Sequence, residues 1–307
     1  MSPVRKRAYL ELLAMAAIWG IATPIIKYTL NGFSPAILLT YRFFLSTVIA
    51  LIIFAFTRIK IPKNPKILLV TLLNGFLITT VSLGLLFLGT DKTTAIDSNL
   101  ISAMEPIIIA AAAVIFLKEH ITKRESVGIL IALGGTLITI IQPLYLTQPS
   151  FAQVEGNLLV FAGLLVTVAT AVIAKVILRD NVDALFATNA SFIVGFITIL
   201  PFSLPQILNS KFQILTSVPF SYHLGVFYLA GISGTFAYYL WHKAEKSIEI
   251  SEVNLIAYLY PIFATPLAVL WLGEKITPVF IIGAIVTAIG VVIAEYKKHR
   301  INSKTDN

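Results

Sequence analysis

The sequence predicts an all-α integral membrane protein whose ten transmembrane helices form two inverted five-helix repeats. Three observations lead to this fold class. The apolar residues fall in runs of membrane-spanning length, one stretch of the chain recurs 155 residues later, and lysine and arginine are distributed unevenly between alternate loops. A soluble protein does not need so apolar a chain, because a single core stops growing at about 300 residues.

The first observation concerns hydropathy. Of the 307 residues, 57% are hydrophobic and 12% are charged, and the mean hydropathy is +0.89. Apolar runs of about 20 residues are long enough to cross the hydrocarbon core as helices, and these runs lack the alternation of barrel strands. Ten runs predict spans at 8–30, 35–56, 67–89, 93–117, 125–142, 156–178, 184–203, 221–241, 251–272 and 278–296.

The second observation is the repeat. Residues 99–122 and 254–277 share eleven residues in register, and a duplication in so apolar a chain is typical of transporters built from two repeats. Five spans per copy make the second copy enter the membrane from the opposite side, so the repeats are inverted. The predicted divisions are a first repeat at 1–142, a connecting loop at 143–155, a second repeat at 156–296 and a tail at 297–307.

The third observation is the distribution of charge. If the N-terminus is cytoplasmic, 18 of the 23 lysines and arginines lie on the cytoplasmic side and 4 on the opposite side, with Arg42 inside a span. This positive-inside pattern predicts a multi-pass protein of a prokaryotic plasma membrane with both termini in the cytoplasm. The net charge of +8 therefore reflects topology and not nucleic-acid binding. The chain has no cysteine, which excludes disulfides and thiol chemistry, and we expect neither a cofactor nor a metal.

Several of the repeated residues have structural explanations. Pro106 and Pro261 lie in the middle of spans, where a missing amide kinks a helix, and we predict that both act as hinges. Glu119 and Glu274 precede the last helix of each repeat and are expected to accept hydrogen bonds from its first amides. Thr277 is expected to cap the tenth helix. Four glycines are expected to mark close helix packing: Gly128, Gly135, Gly283 and Gly290.

Two motifs resemble a known family. The residues are Trp19-Gly20, Lys27, Pro35 and Arg42 in an opening motif, and Pro106 to Gly135 with its copy Pro261 to Gly290 in a closing block. The second half lacks the Trp-Gly pair and the arginine of the opening motif. With these motifs, the chain resembles the EamA type of the drug/metabolite transporter superfamily over residues 8–296. This resemblance implies transport of a small metabolite, commonly efflux of an amino acid or a related compound, by alternating access.

Charged residues inside the spans are candidates for a binding site, because each is costly to insert. Glu105 lies near the centre of the fourth span with Ser102 on the same face. We interpret Glu105 as a ligand for a substrate amine or as a proton carrier; the alternative is a carboxyl that bonds a neighbouring helix and stabilises the kink. Arg42 is interpreted as a ligand for a substrate carboxylate or as a partner of Glu105. Its alternatives are a tether to loop carbonyls and a side chain that snorkels outward.

Aromatic and amide side chains complete the predicted site. Trp19 and Lys27 share one helical stripe, although snorkelling is the simpler explanation of the lysine. Tyr258 and Tyr260 lie too deep for an interfacial belt, and Tyr260 stands where Glu105 stands in the first repeat. Asparagines at equivalent positions of the two repeats either join helices or line the cavity. The predicted binding residues are Trp19, Lys27, Arg42, Asn74, Asn99, Ser102, Glu105, Asn254, Tyr258 and Tyr260.

These features favour a secondary transporter of a small zwitterionic metabolite, with or without proton coupling. We expect it to contact membrane lipid as a monomer or homodimer. The alternatives are an intramembrane enzyme, a membrane protein that binds lipid or another ligand without flux, and, among transporters, an exporter of cationic drugs. The metal-hydrolase and serine-hydrolase motifs are absent from the sequence, so we expect that the protein is not an enzyme.

Overall fold

The computed structural model of the chain describes residues 3–57, 61–117, 123–146, 148–179, 182–210, 213–245 and 256–295. Within these ranges every regular element is helical and no strand occurs, which confirms the predicted all-α class. The helices are α1 (Pro3–Thr29), α2 (Pro35–Phe56), α3 (Pro65–Phe76), α4 (Leu83–Lys92), α5 (Ala95–Ser102), α6 (Glu105–Leu117), α7 (Lys123–Ile141), α8 (Phe151–Arg179), α9 (Ala184–Asn209), α10 (Gln213–Thr216), α11 (Phe220–Phe227), α12 (Ala237–Glu245), α13 (Tyr260–Leu272) and α14 (Pro278–Glu295).

Seven continuous helical runs within the described ranges are long and apolar enough to cross a membrane. Two shorter apolar helices, Ile256–Leu272 and Pro278–Ala294, follow near the end of the chain. The chain is therefore a multi-pass membrane protein, while the count of ten inverted spans stays a prediction. The seven runs are Arg7–Thr29, Pro35–Phe56, Pro65–Lys92, Lys123–Tyr145, Phe151–Ala174, Ala184–Asn209 and Phe220–Trp241.

The two prolines that the repeat places in mid-span coincide with breaks in the helices. α5 ends at Ser102 and α6 begins at Glu105, immediately before Pro106, which has no amide to continue the ladder of hydrogen bonds. In the second half a 3-10 turn at Ile256–Leu259 precedes α13, whose second residue is Pro261. Regular α-helix thus begins just before each proline, while the bend of each span and the role of both prolines as hinges stay predictions.

Irregular helical geometry also recurs at matching places in the two halves. A π-helical turn at Leu77–Ser82 joins α3 to α4, and another at Tyr228–Phe236 joins α11 to α12. Each turn interrupts the third predicted span of its half. Single π-helical turns inside α-helices are frequent at functional sites, and both of these contribute residues to the cavity described below.

The helices define two ends of the bundle. At one end Lys27, near the end of α1, contacts the last turn of α4, and Glu274, which follows α13, contacts the start of α5; we call this the sealed end. At the opposite end, which we call the terminal end, Lys243 of α12 forms an ion pair of 2.5 Å with Glu11 near the start of α1. α14 also runs from the sealed end, where Thr277 precedes it, to the terminal end.

α7 and α14, the last predicted spans of the two halves, pack closely against each other. A methyl group added to Gly135 would overlap the backbone of Thr287, and one added to Gly290 would overlap the backbone of Ala132. Gly128 and Gly283 face the partner helix in the same way. These contacts confirm the prediction that the four repeated glycines allow close approach of two helices.

The predicted caps are confirmed in one case and wrong in another. Thr277 caps α14 by accepting a hydrogen bond of 3.0 Å from the amide of Phe280. The prediction that Glu274 binds the first amides of α14 is wrong. Glu274 binds the amides of Ala95 and Ile96 in α5 instead. The reason is that Thr277 already occupies the start of α14, while the unpaired amides of α5 lie beside the end of α13. Glu119 and Thr122 lie outside the described residues.

Candidate functional site

A cavity of about 380 Å³ lies between the two halves of the bundle. Its wall combines residues of α1, α2, both π-helical turns and the broken helices α5–α6 and Ile256–Leu272. The lining reaches Ala184, the first residue of α9, and Trp241 near the end of α12. Ser34, just before α2, contacts Gln206 near the end of α9, so α9 is antiparallel to α2 and its first residue, Ala184, lies towards the terminal end. Trp241 lies towards the same end, two residues before Lys243. The cavity therefore extends from the middle of the bundle towards that end.

Most of the predicted site residues line this cavity. Three do not, namely Lys27, Tyr258 and Pro261, and Asn254 lies outside the described residues. Lys27 instead donates to carbonyls at the sealed end. Tyr258 lies one residue after Ala257 in a 3-10 turn, in which positions three apart share a face, so Ala257 and Tyr260 line the cavity while Tyr258 does not. The predicted residues on the cavity wall are Trp19, Arg42, Asn74, Asn99, Ser102, Glu105, Pro106 and Tyr260.

Glu105 presents an unpaired carboxyl group to the cavity. It is the first residue of α6, where the amides of the helix N-terminus favour a negative charge. Among the described residues no side chain or backbone group forms a hydrogen bond or an ion pair with it. Two tyrosines of the cavity wall, Tyr238 and Tyr260, lie close enough to interact with it electrostatically. The interpretation of Glu105 as a carboxyl that bonds a neighbouring helix therefore has no contact to support it.

Arg42 is a buried cation without an anionic partner in the described part of the chain. Its side chain is 6% exposed, and its Nε atom has no hydrogen-bond partner. The guanidinium carbon lies 5.8 Å from the ring centre of Phe43 and 5.6 Å from that of Phe87. No ion pair joins Arg42 to Glu105, and no loop carbonyl holds it. A buried charge without a partner is strongly unfavourable, which distinguishes Arg42 from the paired charges elsewhere in the described residues.

Four aromatic side chains form one wall of the cavity. The indole of Trp19 contacts the rings of Tyr238, Trp241 and Tyr260, with ring centres 5.1, 5.9 and 6.2 Å apart, all edge to face. Trp19 Nε1 also donates a hydrogen bond of 2.9 Å to the carbonyl of Ser233 in the second π-helical turn. The wall thus joins α1 of the first half to α12 and α13 of the second.

Hydroxyl and amide groups line other parts of the cavity wall. Ser82 donates to the carbonyl of Gly163 at 2.9 Å and lies 2.6 Å from the Oγ1 atom of Thr167. Asn74 has a buried side-chain oxygen without a hydrogen-bond partner. Asn99 both lines the cavity and joins helices, because its amide nitrogen lies 3.2 Å from Thr23 Oγ1 of α1. Both of its predicted roles are therefore present.

Sequence reasoning did not include several lining residues in the site. Thr71 lies three residues before Asn74, and Thr79 lies three residues before Ser82, which is the spacing of one helix face, so the sequence carries this signal. Trp241 follows Tyr238 by three residues and carries the same signal. The described residues contain no group of three His, Asp or Glu side chains that could hold a metal ion. The residues not included are Thr71, Thr79, Thr188, Ser191, Ser233 and Trp241.

Polar contacts cluster at the sealed end, and the one between Thr277 and Gln142 joins the two halves. Asp97 is 1% exposed and accepts hydrogen bonds of 2.9 and 3.0 Å from Gln142 Nε2 and of 2.9 Å from Gln153 Nε2. Thr277 in turn donates to Gln142 Oε1. Lys92 forms an exposed ion pair with Glu155. A second pocket of about 370 Å³, lined by Lys27, Lys92, Gln153 and Glu274 among others, lies at this end.

Comparison with known proteins gives a consistent result over the whole chain. The profile of the EamA-like transporter family matches residues 6–141 and 148–296. The uncharacterized transporter YyaM of Bacillus subtilis is 27% identical over 93% of this chain and 92% of its own length. A probable amino-acid metabolite efflux pump of Salmonella typhimurium is 26% identical over 94% of each chain. A chain of a solved crystal structure, 16% identical, superposes with a TM-score of 0.63 over 96% of this chain and 98% of that chain.

Proposed function

The chain belongs to the EamA-like transporter family, and from this premise we propose that it moves a small zwitterionic metabolite, an amino acid or a close relative, across the plasma membrane by alternating access. One observation carries the proposal: Arg42 and Glu105 line the same cavity, have opposite charges and have no charged partner among the described residues. A ligand with both an ammonium and a carboxylate group supplies the missing partner of each.

The energetics of burial favour this ligand over a neutral one. A buried ion is unfavourable by several kcal/mol unless it is paired and hydrogen-bonded, and charge-assisted hydrogen bonds are about twice as strong as neutral ones. A carboxylate can accept two parallel bonds from the guanidinium of Arg42, while Glu105 accepts from the ammonium group. The amide oxygen of Asn74 is a further acceptor for the ammonium.

The direction of transport is proposed from topology and from one relative. If the charge distribution sets the orientation, the terminal end faces the cytoplasm, and the cavity is then accessible to cytoplasmic metabolites while the opposite side is sealed. The name of the Salmonella typhimurium relative refers to efflux. We therefore propose export. Glu105 also provides a group that can exchange a substrate ammonium for a proton, which would couple export to proton entry.

An organic cation is the second candidate substrate, and the aromatic wall favours it. Trp19, Tyr238, Trp241 and Tyr260 line the same cavity as Glu105, and aromatic faces bind cations with about 0.5–2 kcal/mol each. The two candidates differ in what Arg42 does. A zwitterion needs its positive charge, whereas an organic cation is repelled by it, so removal of that charge separates them.

Flux into proteoliposomes tests the proposal. Radiolabelled amino acids and organic cations are screened by counterflow with the parent protein, Arg42→Met, Glu105→Gln and the exposed control variants Lys66→Met and Glu155→Gln. For a zwitterion, both cavity variants lose flux and the controls keep it. Higher cation flux in Arg42→Met supports the second candidate. Equal flux in all five proteins, or binding without flux, contradicts the proposed function.

A further inference from the structure

We propose that Lys27 and Glu274 form a clamp that holds the sealed end closed, and that its release is the step that opens the cavity at this end. The clamp consists of these two side chains and the turn between α4 and α5. The proposal rests on the proposed function, because a clamp of this kind has a role only in a carrier that opens at alternate ends. Lys27 and Glu274 are positioning residues and do not contact the substrate.

Each side chain of the clamp binds a helix end of opposite charge. Lys27 Nζ donates hydrogen bonds of 2.9 and 2.8 Å to the carbonyls of Thr90 and Asp91 in the last turn of α4. The carboxylate of Glu274 accepts bonds of 2.7 and 2.9 Å from the amides of Ala95 and Ile96 in the first turn of α5. The last carbonyls and first amides of helices have no partner within the helix and carry partial negative and positive charge.

The clamp joins elements that have to separate when this end opens. Lys27 belongs to α1, and Glu274 belongs to the turn after α13 in the second half of the chain. The turn they bind is the tip of a hairpin, α3–α4 and α5–α6, whose residues Asn74, Ser82 and Glu105 line the cavity. A movement of this hairpin tip away from α1 and α13 must break the four hydrogen bonds.

The clamp also separates two spaces. On its inner side Ile26 and Asn99 line the central cavity, while Lys27 and Glu274 themselves line the pocket at the sealed end. Asn99 lies one helical turn beyond Ala95, and Ile26 directly precedes Lys27. Opening the clamp therefore joins the cavity to the pocket and gives the substrate a path to the other side.

The electrostatics of Glu274 suit a contact that forms and breaks. Burial raises the pKa of Glu274, although the two amide hydrogen bonds and the charge of Lys27 act to lower it. The unfavourable burial of the carboxylate is relieved when the end opens to water. The burial of this carboxylate therefore opposes the two amide hydrogen bonds that hold it.

Cysteine accessibility measures the clamp directly, because the chain has no cysteine of its own. A single Ile26→Cys probe on the cavity side of the clamp is labelled with a membrane-impermeant maleimide applied to the sealed end in sided vesicles. We expect slow labelling in this background and an increase of about tenfold with Lys27→Met or Glu274→Gln, since losing a charge-assisted hydrogen bond shifts an equilibrium by about that factor.

A neighbouring ion pair supplies the matched control. Lys92 and Glu155 form an exposed pair at the same end, with side chains 38% and 57% exposed, and such pairs contribute little. Lys92→Met and Glu155→Gln should leave the labelling rate at the level of the probe alone. If they raise it as much as the clamp variants do, the end has loosened in general and the clamp is rejected.

A third variant tests the clamp without changing any charge. Ala95→Pro removes one of the two amides that Glu274 binds, and proline is well tolerated at the first position of a helix. The preceding Thr94 already has an extended backbone, with a ψ of 156°. Faster labelling is expected here as well, and this variant decides the question if Glu274→Gln fails to fold. Unchanged labelling in Ala95→Pro and in the folded charge variants overturns the proposal.

The labelling test can be scored separately from the proposed function, because labelling needs no substrate. Faster labelling in a protein that transports nothing supports the two contacts as what holds the sealed end closed, but it contradicts the transport function and with it the role of the clamp in a carrier. Substrate flux together with unchanged labelling contradicts the clamp and leaves the transport function standing.

Discussion

The two halves of the chain agree where they build the bundle and differ where they line the cavity. Gly135 and Gly290 both allow α7 and α14 to approach closely, and Pro106 and Pro261 both stand where a helix is broken. At the position before each proline, however, the first half has Glu105 and the second has Tyr260, and both line the cavity. The residues that the two halves share therefore determine helix packing and helix breaks, and the residues that differ determine which polar groups line the cavity.

The divergence leaves the cavity asymmetric in charge. The first half provides both Arg42 and Glu105, and the second half provides tyrosine and tryptophan side chains such as Tyr238, Trp241 and Tyr260. In the proposed function, the substrate would therefore contact charged groups of the first half and aromatic groups of the second. Each of the following variants tests whether agreement between the halves means structure and disagreement means function.

The largest effect is expected when the halves are made alike at their most different position. Glu105→Tyr removes the carboxylate that faces the cavity and should lower the specificity constant for flux about 100-fold or more, since truncating one partner of a buried charge pair is unfavourable by about 2–5 kcal/mol. Tyr260→Phe, which removes one hydroxyl on the other side, should change it less than about tenfold. Equal losses in the two variants would mean that the charge has no special role.

A second large effect is expected on stability and not on substrate recognition. Gly135→Ala and Gly290→Ala each place a methyl group against the opposite backbone of the α7–α14 pair, and overpacking destabilises by about 1–3 kcal/mol. Gly134, next in the chain, has no atom within 4 Å of an added methyl group, so Gly134→Ala is the matched control. Melting temperatures in detergent should fall for the first two variants only. Because alanine favours a helix more than glycine does, Gly134→Ala should leave the melting temperature unchanged or raise it slightly, and an equal fall in all three variants would contradict a specific role for the α7–α14 contact.

An intermediate effect is expected from the glutamates that the repeat shares. Glu119 is the counterpart of Glu274 in the first half and lies outside the described residues, so this prediction rests on the sequence alone. In an inverted repeat, Glu274→Gln should raise maleimide accessibility from the sealed end and Glu119→Gln from the terminal end, each about tenfold. Changes at the same end in both variants would contradict an inverted arrangement of the two copies.

The smallest effect is expected at the aromatic wall. Trp19→Phe keeps an aromatic ring beside Tyr238 but removes the indole hydrogen bond to Ser233, which contributes about 1 kcal/mol. Flux should fall about fivefold with the specificity between substrates preserved. A change in which substrates are carried would show that the indole itself selects the substrate.

Much of this arrangement could be read from the sequence because it depends on local rules. Apolar runs predict helices, and a proline predicts the break before Glu105. Ser102 and Glu105 both line the cavity, as predicted, although the break places them in different helices. The partner of Glu274 could not be predicted in this way. It lies 178 residues away along the chain, so only the packing of α5 against α13 brings the two together.

Two further differences have local causes that the sequence does not reveal. Tyr258 lies off the cavity because Ile256–Leu259 forms a 3-10 turn, which rotates the side chains differently from an α-helix. Snorkelling is the simplest explanation of Lys27 from the sequence, yet its ammonium binds the carbonyls at the end of α4. The sequence shows that the lysine lies near the end of a span, but it does not show that the end of another helix lies beside it.

The central claim is that Arg42 and Glu105 bind the two ends of one zwitterion, and flux of three related probes tests it most directly. The probes are the amino acid with the highest flux in the screen, its carboxamide and its N-acetyl derivative. We expect the parent protein to carry the amino acid with a higher flux than either derivative. Arg42→Met should remove the difference in flux between the amino acid and its carboxamide, and Glu105→Gln should remove the difference between the amino acid and its N-acetyl derivative. If both variants penalise all three probes equally, neither residue recognises a charged end of the substrate and the claim is contradicted.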